Sequence, residues 1–182
     1  MKMKKNIIIS DFDLNAYHEI RKNIKIFLNQ CSKKYDKKGA LVLDIAPQIH
    51  EGAKMFFKKS IVKTLDIDPK SNSTFILDIT KNNSKVIKSN HFDIVVCTEV
   101  LEHTIHPFKA VDEIYRILKT GGVAIITTPF NFRIHGPLPD CWRFTRFGLK
   151  ILFKEFKAVD IKEIETPGRD LMPLQYTIVL RK

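Results

Sequence analysis

Short apolar runs separated by polar breaks recur along most of the chain. Residues 40–45 (ALVLDI), 61–67 (IVKTLDI), 74–79 (TFILDI), 92–98 (FDIVVCT) and 123–128 (VAIITT) are mostly continuous rather than alternating. Strands of that kind are covered on both faces, so they predict a largely parallel sheet between layers of helix. Helical periodicity fills some of the intervals. Residues 13–31 carry Leu14, Tyr17, Ile20, Ile24, Phe27, Leu28 and Cys31 at spacings of three and four, behind Asp13 as a cap, which predicts an amphipathic helix. A second helix is expected over 107–118, with Pro107 in its first turn and Gly121 beyond its end. A third starts at a Thr145 cap and carries Phe147, Ile151 and Leu152, and two last strands fall at 157–164 and 174–181.

One interval does not fit. Only IDPKSNS, residues 67–73, separates two of the strands, whereas a parallel crossover needs roughly ten residues or more. That connection is either an irregular loop or evidence against one of the strands. With no repeat and no low-complexity linker, the pattern describes one unit of 182 residues, a helical cap over 1–37 and a core over 38–182.

Composition narrows the class without choosing a function. An apolar fraction of 44% beside 28% charged residues is that of an ordinary globular protein. No run approaches the roughly 18 apolar residues of a membrane span, and Ile7, Ile8 and Ile9 are too few for the core of a signal peptide. Cys31, Cys97 and Cys141 are odd in number and widely spaced, so no disulfide framework is expected and a reducing cytoplasm is the expected setting. The net charge of +11 is concentrated in residues 1–40, where ten basic side chains face four acidic ones. That bias reads first as solvated lysine-rich faces and second as a surface for an anionic partner.

The candidate chemistry lies at the strand ends. Asp44, Asp66 and Asp78 close three of the predicted strands, and Thr98 followed by Glu99 closes a fourth. In an open parallel sheet, ligands bind in the crevice at the carboxyl ends of the strands, so these groups converge on one cleft. Carboxylates accept hydrogen bonds and repel pyrophosphate, so the cleft asks for hydroxyls, an amine or a positive charge.

LVLDIAPQ at 41–48, TLDIDP at 64–69, LDIT at 77–80, FDIVVCTEVLEHTIHP at 92–107 and EIYRILKTGGVAIITTP at 113–129 resemble successive motifs of class I S-adenosylmethionine-dependent methyltransferases. The similarity runs over about residues 38–165. It implies an α/β, Rossmann-like, doubly wound, mostly parallel sheet of about seven strands with helices on both faces. It also implies S-adenosyl-L-methionine as cofactor. Around that cofactor the resemblance places Asp44, Ala46, Gln48, Asp66, Ile67, Asp78, Ile79, Thr98 and Glu99. Asp66 would take the ribose hydroxyls and Asp78 the adenine amine, with Ile79 beside the ring. Thr98 and Glu99 would line the methionine and sulfonium end. The chain departs from the family's DxGxGxG loop, because Asp44 is followed by Ile45, Ala46, Pro47, Gln48, Ile49 and His50. Pro47 is expected to open a helix there whose N-terminus faces the cofactor's carboxylate.

His103 and His135 are the candidate bases, since an imidazole titrates near working pH. The stretch GPLPDCWRFTRFGL at 136–149 is similar to a PxxDxWRFT signature of sugar or glycan-precursor methyltransferases, which implies acceptor contacts from Asp140, Trp142 and Arg143. His103 and His106 stand three apart like a metal pair, but no third ligand is spaced for them, so no metal is expected. The reading is an enzyme methylating a small molecule. Its alternatives are a tRNA or rRNA methyltransferase, and a methyltransferase-like binding protein that has lost catalysis with the glycines of its first motif.

Overall fold

The computed structural model describes residues 8–48 and 52–182. The basic start of the chain, including Ile7, and Ile49 and His50 of the first motif lie outside the described residues. The elements run α1 (Asp11–Tyr35), β1 (Leu41–Ile45), β2 (Ile61–Asp66), β3 (Phe75–Ile76), β4 (Phe92–Thr98), α2 (Pro107–Ile117), β5 (Leu118–Pro129), α3 (Arg146–Leu152), β6 (Ala158–Thr166) and β7 (Arg169–Arg181). They build one seven-stranded sheet in the order β3-β2-β1-β4-β5-β7-β6. The five strands from β3 to β5 are parallel, and β7 inserts antiparallel between β5 and β6. This is the mostly parallel sheet that the strand pattern predicts and the Rossmann-like α/β fold that the resemblance implies.

Strand alternation sends successive side chains to opposite faces. Val42, Ile94, Val96, Val123 and Ile125 pack with Ile20, Ile24, Phe27 and Leu28 of α1. Leu43, Ile45, Val95, Cys97, Ala124 and Ile126 pack on the other face with α2 and α3. The first helix is therefore a full layer of the core. Its cap is Ser10 rather than Asp13: the Ser10 hydroxyl accepts the Asp13 N–H at 3.2 Å, while Asp13 returns its carboxylate to Ser10. Leu14 and Tyr17, expected on the apolar face, are exposed, while Ala16 beside them is buried. Thr145 caps α3 as expected, accepting the Gly148 N–H at 3.2 Å, but Phe147 and Ile151 point to solvent and Leu149 and Leu152 face the core.

The short interval resolves as a loop. Only two residues of the expected strand at 74–79 pair with β2, and residues 67–74 connect them without a helix. Between β1 and β2 the described helical residues are the four-residue 3-10 turn Gly52–Met55. Pro47 therefore opens no α-helix among the described residues. Asp36 helps hold this side of the sheet instead: its carboxylate accepts the Lys59 N–H and the Ser60 hydroxyl, the latter at 2.6 Å. Among the described residues, no helix is long and apolar enough to cross a membrane.

Candidate active site

The carboxyl ends of β1 to β4 open on one rim of the sheet, and the loops leaving them enclose a cavity of about 370 Å³. Asp66, at the end of β2, is buried and lines it. Its Oδ1 accepts the Asp68 N–H at 2.9 Å, which fixes the plane of the carboxylate and leaves Oδ2 without a donor among the described residues. Asp78 is held in the same way, with Oδ1 accepting both the N–H and the hydroxyl of Thr80 at 2.8 and 2.7 Å. Each acid thus offers one oxygen. Exposed Ile67 and buried Ile79 add apolar wall to the same cavity.

The loop after β1 carries its departures from the family pattern in the backbone. Ala46 and Gln48 adopt φ of +50° and +53°, the left-handed region, at the positions where the resemblance expects glycine. A Cβ in that region costs about 1–2 kcal/mol per residue. The loop keeps the glycine path with side chains attached, and both residues line the cavity. Asp44 is a correction. It is 2% exposed, faces the α1 layer and accepts the Ala53 N–H at 2.7 Å, so it pins the loop from behind and does not meet the cavity. Burial, offset in part by that bond, pushes its pKa up to about 7. Gly52, at φ +54°, is required there, because a Cβ would collide with the Asp44 carboxylate.

A second cavity, of about 640 Å³, lies between α1 and the same rim. Tyr17, Arg21 and Lys25 line it from α1, and Thr98, Phe132 and His135 from the sheet side. Thr98 faces this cavity and not the first. The two share a wall of Ala46, Gln48, Glu99, His103 and Pro137. Glu99 follows β4 in a left-handed conformation, φ +53°, and its Oε1 accepts Gln175 Nε2 at 2.9 Å. Burial raises its pKa in spite of that bond.

His103 and His135 come together at this wall, ring centroids 4.7 Å apart, although 32 residues separate them. Between them is a residue that the sequence reading missed. Glu102 is fully buried, its two carboxylate oxygens have no hydrogen-bond partner among the described residues, and Oε1 stands 3.8 Å from Nε2 of each histidine. Burial, and then the neighbouring Glu99 charge, raise its pKa well above the ordinary range. The only trace in the sequence is a Glu-His dipeptide just past a strand tip. His106 is not in the group.

Asp140, Trp142 and Arg143, expected to meet the acceptor, spend their polar groups within the protein. Arg143 grips Asp140 through two bonds of 2.6 and 2.7 Å and also donates to the Phe132 and Arg133 carbonyls. Asp140 in turn accepts the His135 backbone N–H at 3.0 Å and lies 3.1 Å from His135 Nδ1. Burial alone would raise the Asp140 pKa, but the Arg143 guanidinium and the His135 N–H outweigh it and hold the carboxyl low. Burial lowers the pKa of His135, against the pull of Asp140. The Trp142 indole N–H donates to the Thr104 carbonyl at 2.7 Å, and the backbone N–H groups of Cys141 and Trp142 donate to the Glu102 carbonyl.

Residues 15–164 match a family described as a methyltransferase domain. The chain belongs to that family. Membership makes methyl transfer, with S-adenosyl-L-methionine as donor, the chemistry of this enzyme. No curated protein matches the chain significantly. Among solved structures the methyltransferase is similar to an S-adenosylmethionine-dependent methyltransferase from Archaeoglobus fulgidus, with a TM-score of 0.66 and 15% identity over 94% of this chain and 100% of that one. It is also similar to the CurJ carbon methyltransferase, at TM-score 0.60 and 16% identity; there the match covers 79% of this chain and about half, 48%, of the other. A third neighbour, at TM-score 0.64 and 12% identity over 87% of this chain and 81% of its own, is the [4+2]-cyclase SpnF. At such identities the likeness is one of fold.

Proposed function

We propose that this methyltransferase binds S-adenosyl-L-methionine in the cavity at the strand tips and methylates a small anionic acceptor, of the sugar or glycan-precursor class, in the neighbouring cavity. The observation that carries the reading is the shared wall, where two cavities of ligand size meet beside a pair of imidazoles. The donor set of the first cavity fits the cofactor. Asp66 and Asp78, each with one free oxygen, suit a ribose diol and an adenine amine, and the carboxylate of Glu99 suits a neighbouring positive charge. Ala46 and Gln48 hold left-handed dihedrals of the kind glycine adopts freely, at the positions where the resemblance expects glycine, which supports binding without them.

When bound, S-adenosyl-L-methionine supplies an electrophilic methyl group on a sulfonium. What the chain contributes is alignment and control of the acceptor's proton. Arg21 and Lys25, one turn apart on α1, offer N–H donors for a phosphate or carboxylate of the acceptor. His103 and His135 face the junction and are the groups that activate the nucleophile. Asp140 and Arg143 act through His135 and are positioning residues, and Trp142 ties their segment to the loop after β4. The likeness of residues 136–149 to the PxxDxWRFT signature supports the sugar class.

Calorimetric titration with S-adenosylhomocysteine tests the reading. One site per chain is expected, and Asp66→Ala should weaken it by about 1–3 kcal/mol, the cost of stranding hydrogen-bonded partners. Absence of heat and of any rise in thermal midpoint at millimolar ligand would overturn it. Binding to RNA with a steep salt dependence, beside failure to turn over phosphorylated sugars, would move the acceptor to RNA.

A further inference from the structure

We infer that Glu102, His103 and His135 form a binding site for one divalent transition-metal ion at the junction of the two cavities. Their donor atoms lie within 4.8 Å of one another. The tautomers decide what this group can accept. His103 Nδ1 is 3.1 Å from the Pro139 carbonyl, and His135 Nδ1 is 3.1 Å from the Asp140 carboxylate and 3.2 Å from the Arg133 carbonyl. Carbonyl and carboxylate oxygens only accept, so Nδ1 carries the hydrogen in both neutral rings and Nε2 presents a lone pair. Both lone pairs face the carboxylate of Glu102, which is fully buried and without a hydrogen-bond partner among the described residues.

With Glu102 ionised, as it would be beside a cation, three acceptors converge on one point, and the separations of 3.8 Å are too long for a hydrogen bond within the group. A cation satisfies all three at once. Two imidazoles and a carboxylate suit manganese, iron, cobalt or zinc better than magnesium or calcium. With metal–ligand bonds of about 2.1 Å, ligand atoms stand roughly 3.0–3.4 Å apart, so the ion draws the three inward by side-chain adjustments. The surroundings are those of metal-bound histidines, whose second nitrogen donates to a carboxylate or carbonyl that fixes the ring. Asp140, gripped by Arg143, has that position behind His135. Because His103 and His135 line the acceptor cavity, the ion's remaining positions open onto it, and with the ion bound the two imidazoles activate the nucleophile through it rather than as free bases. Resting on the reading of the preceding section, this narrows the acceptor to a molecule that offers an oxygen, from a hydroxyl or carboxylate, at the place of methylation.

The test uses the full chain without an affinity tag, stripped by a chelator. Titration with cobalt(II) should develop visible d–d absorption that saturates at one ion per chain, and calorimetry with manganese(II) should give the same stoichiometry. Glu102→Gln and His135→Gln should each weaken binding at least tenfold with unchanged circular dichroism, whereas His106→Gln, outside the cluster, should not. Asp140→Asn should weaken it about 10–100-fold through His135. A wild-type chain that gives neither absorption nor heat overturns the site, as does binding that Glu102→Gln and His135→Gln leave unchanged. Titration of the stripped chain with S-adenosylhomocysteine separates the two proposals. Product binding without metal binding removes only the metal site, and metal binding without product binding removes only the cofactor reading.

Discussion

The loops after β1 and β4 meet at the same wall, and both hold left-handed residues, Ala46 and Gln48 in the first and Glu99 in the second; their buried acids Asp44 and Glu102 differ. After β1 the side chain is satisfied and the backbone is strained: Asp44 has its N–H partner, while Ala46 and Gln48 hold left-handed dihedrals. Around Glu102 the backbone is satisfied and the side chain is not: its carbonyl accepts two N–H groups, while its carboxylate has no partner. Strain in a main chain shapes a surface to lie against a ligand. A buried carboxyl without a partner is left open to a cation or a proton. In the proposed reading the first loop lies against the cofactor and the second meets the acceptor.

Substitutions should separate the two, and the largest effect is expected on the acceptor side. His135→Ala should slow methyl transfer by about 10²–10⁴-fold while the affinity for S-adenosylhomocysteine stays within twofold. A large loss of affinity in that variant would merge the two regions. Arg143→Met strands the covered carboxylate of Asp140 and should cost about 3–5 kcal/mol, read as a fall in the urea midpoint. Little change there would mean that Asp140 reaches water.

The β1 side responds to pH. A carboxyl whose pKa is higher folded than unfolded binds its proton more tightly in the native state, so its contribution is full at low pH and declines as pH rises. For Asp44 the decline runs from near 4 to about 7 and then levels off. Urea midpoints of wild type and Asp44→Asn should diverge in the variant's favour across that window, by a few kcal/mol at pH 8. Parallel curves would show that Asp44 titrates normally. Ala46→Gly, the smallest change, should stabilise by about 0.5–1 kcal/mol, relief of strain partly offset by glycine's entropy. A loss of stability on adding this glycine would remove the strain from the comparison.

What the sequence made legible follows from periodicity. Continuous apolar runs located the central strands, because burial on both faces leaves no polar alternation to confuse them. The same rule overextended 74–79, where Leu77 and Ile79 are apolar because they line a cavity or the core, not because they pair in a sheet. Helical spacing identified α1 and α3 but misjudged Leu14, Tyr17, Phe147 and Ile151, since spacing says which residues share a face and not where the neighbouring layer ends. Asp66 was visible as a strand-tip acid, and Asp78, read as another, stands in the loop two residues beyond the end of β3. Asp44 was visible for the same reason and turned out to face the other layer, which alternation along β1 decides. Glu102 was hidden because its importance lies in the absence of a partner, and its neighbour His135 arrives from a segment 33 residues away.

Trp142 is the only tryptophan in the chain, and its indole N–H is clasped by the Thr104 carbonyl while its ring stacks on Phe144 at 6.0 Å. The molecule therefore contains its own optical gauge. Lifting residues 135–144 away from the loop after β4 hands that N–H to water and moves the emission to the red. Emission of the unlabelled protein therefore reports whether residues 135–144 stay joined to that loop.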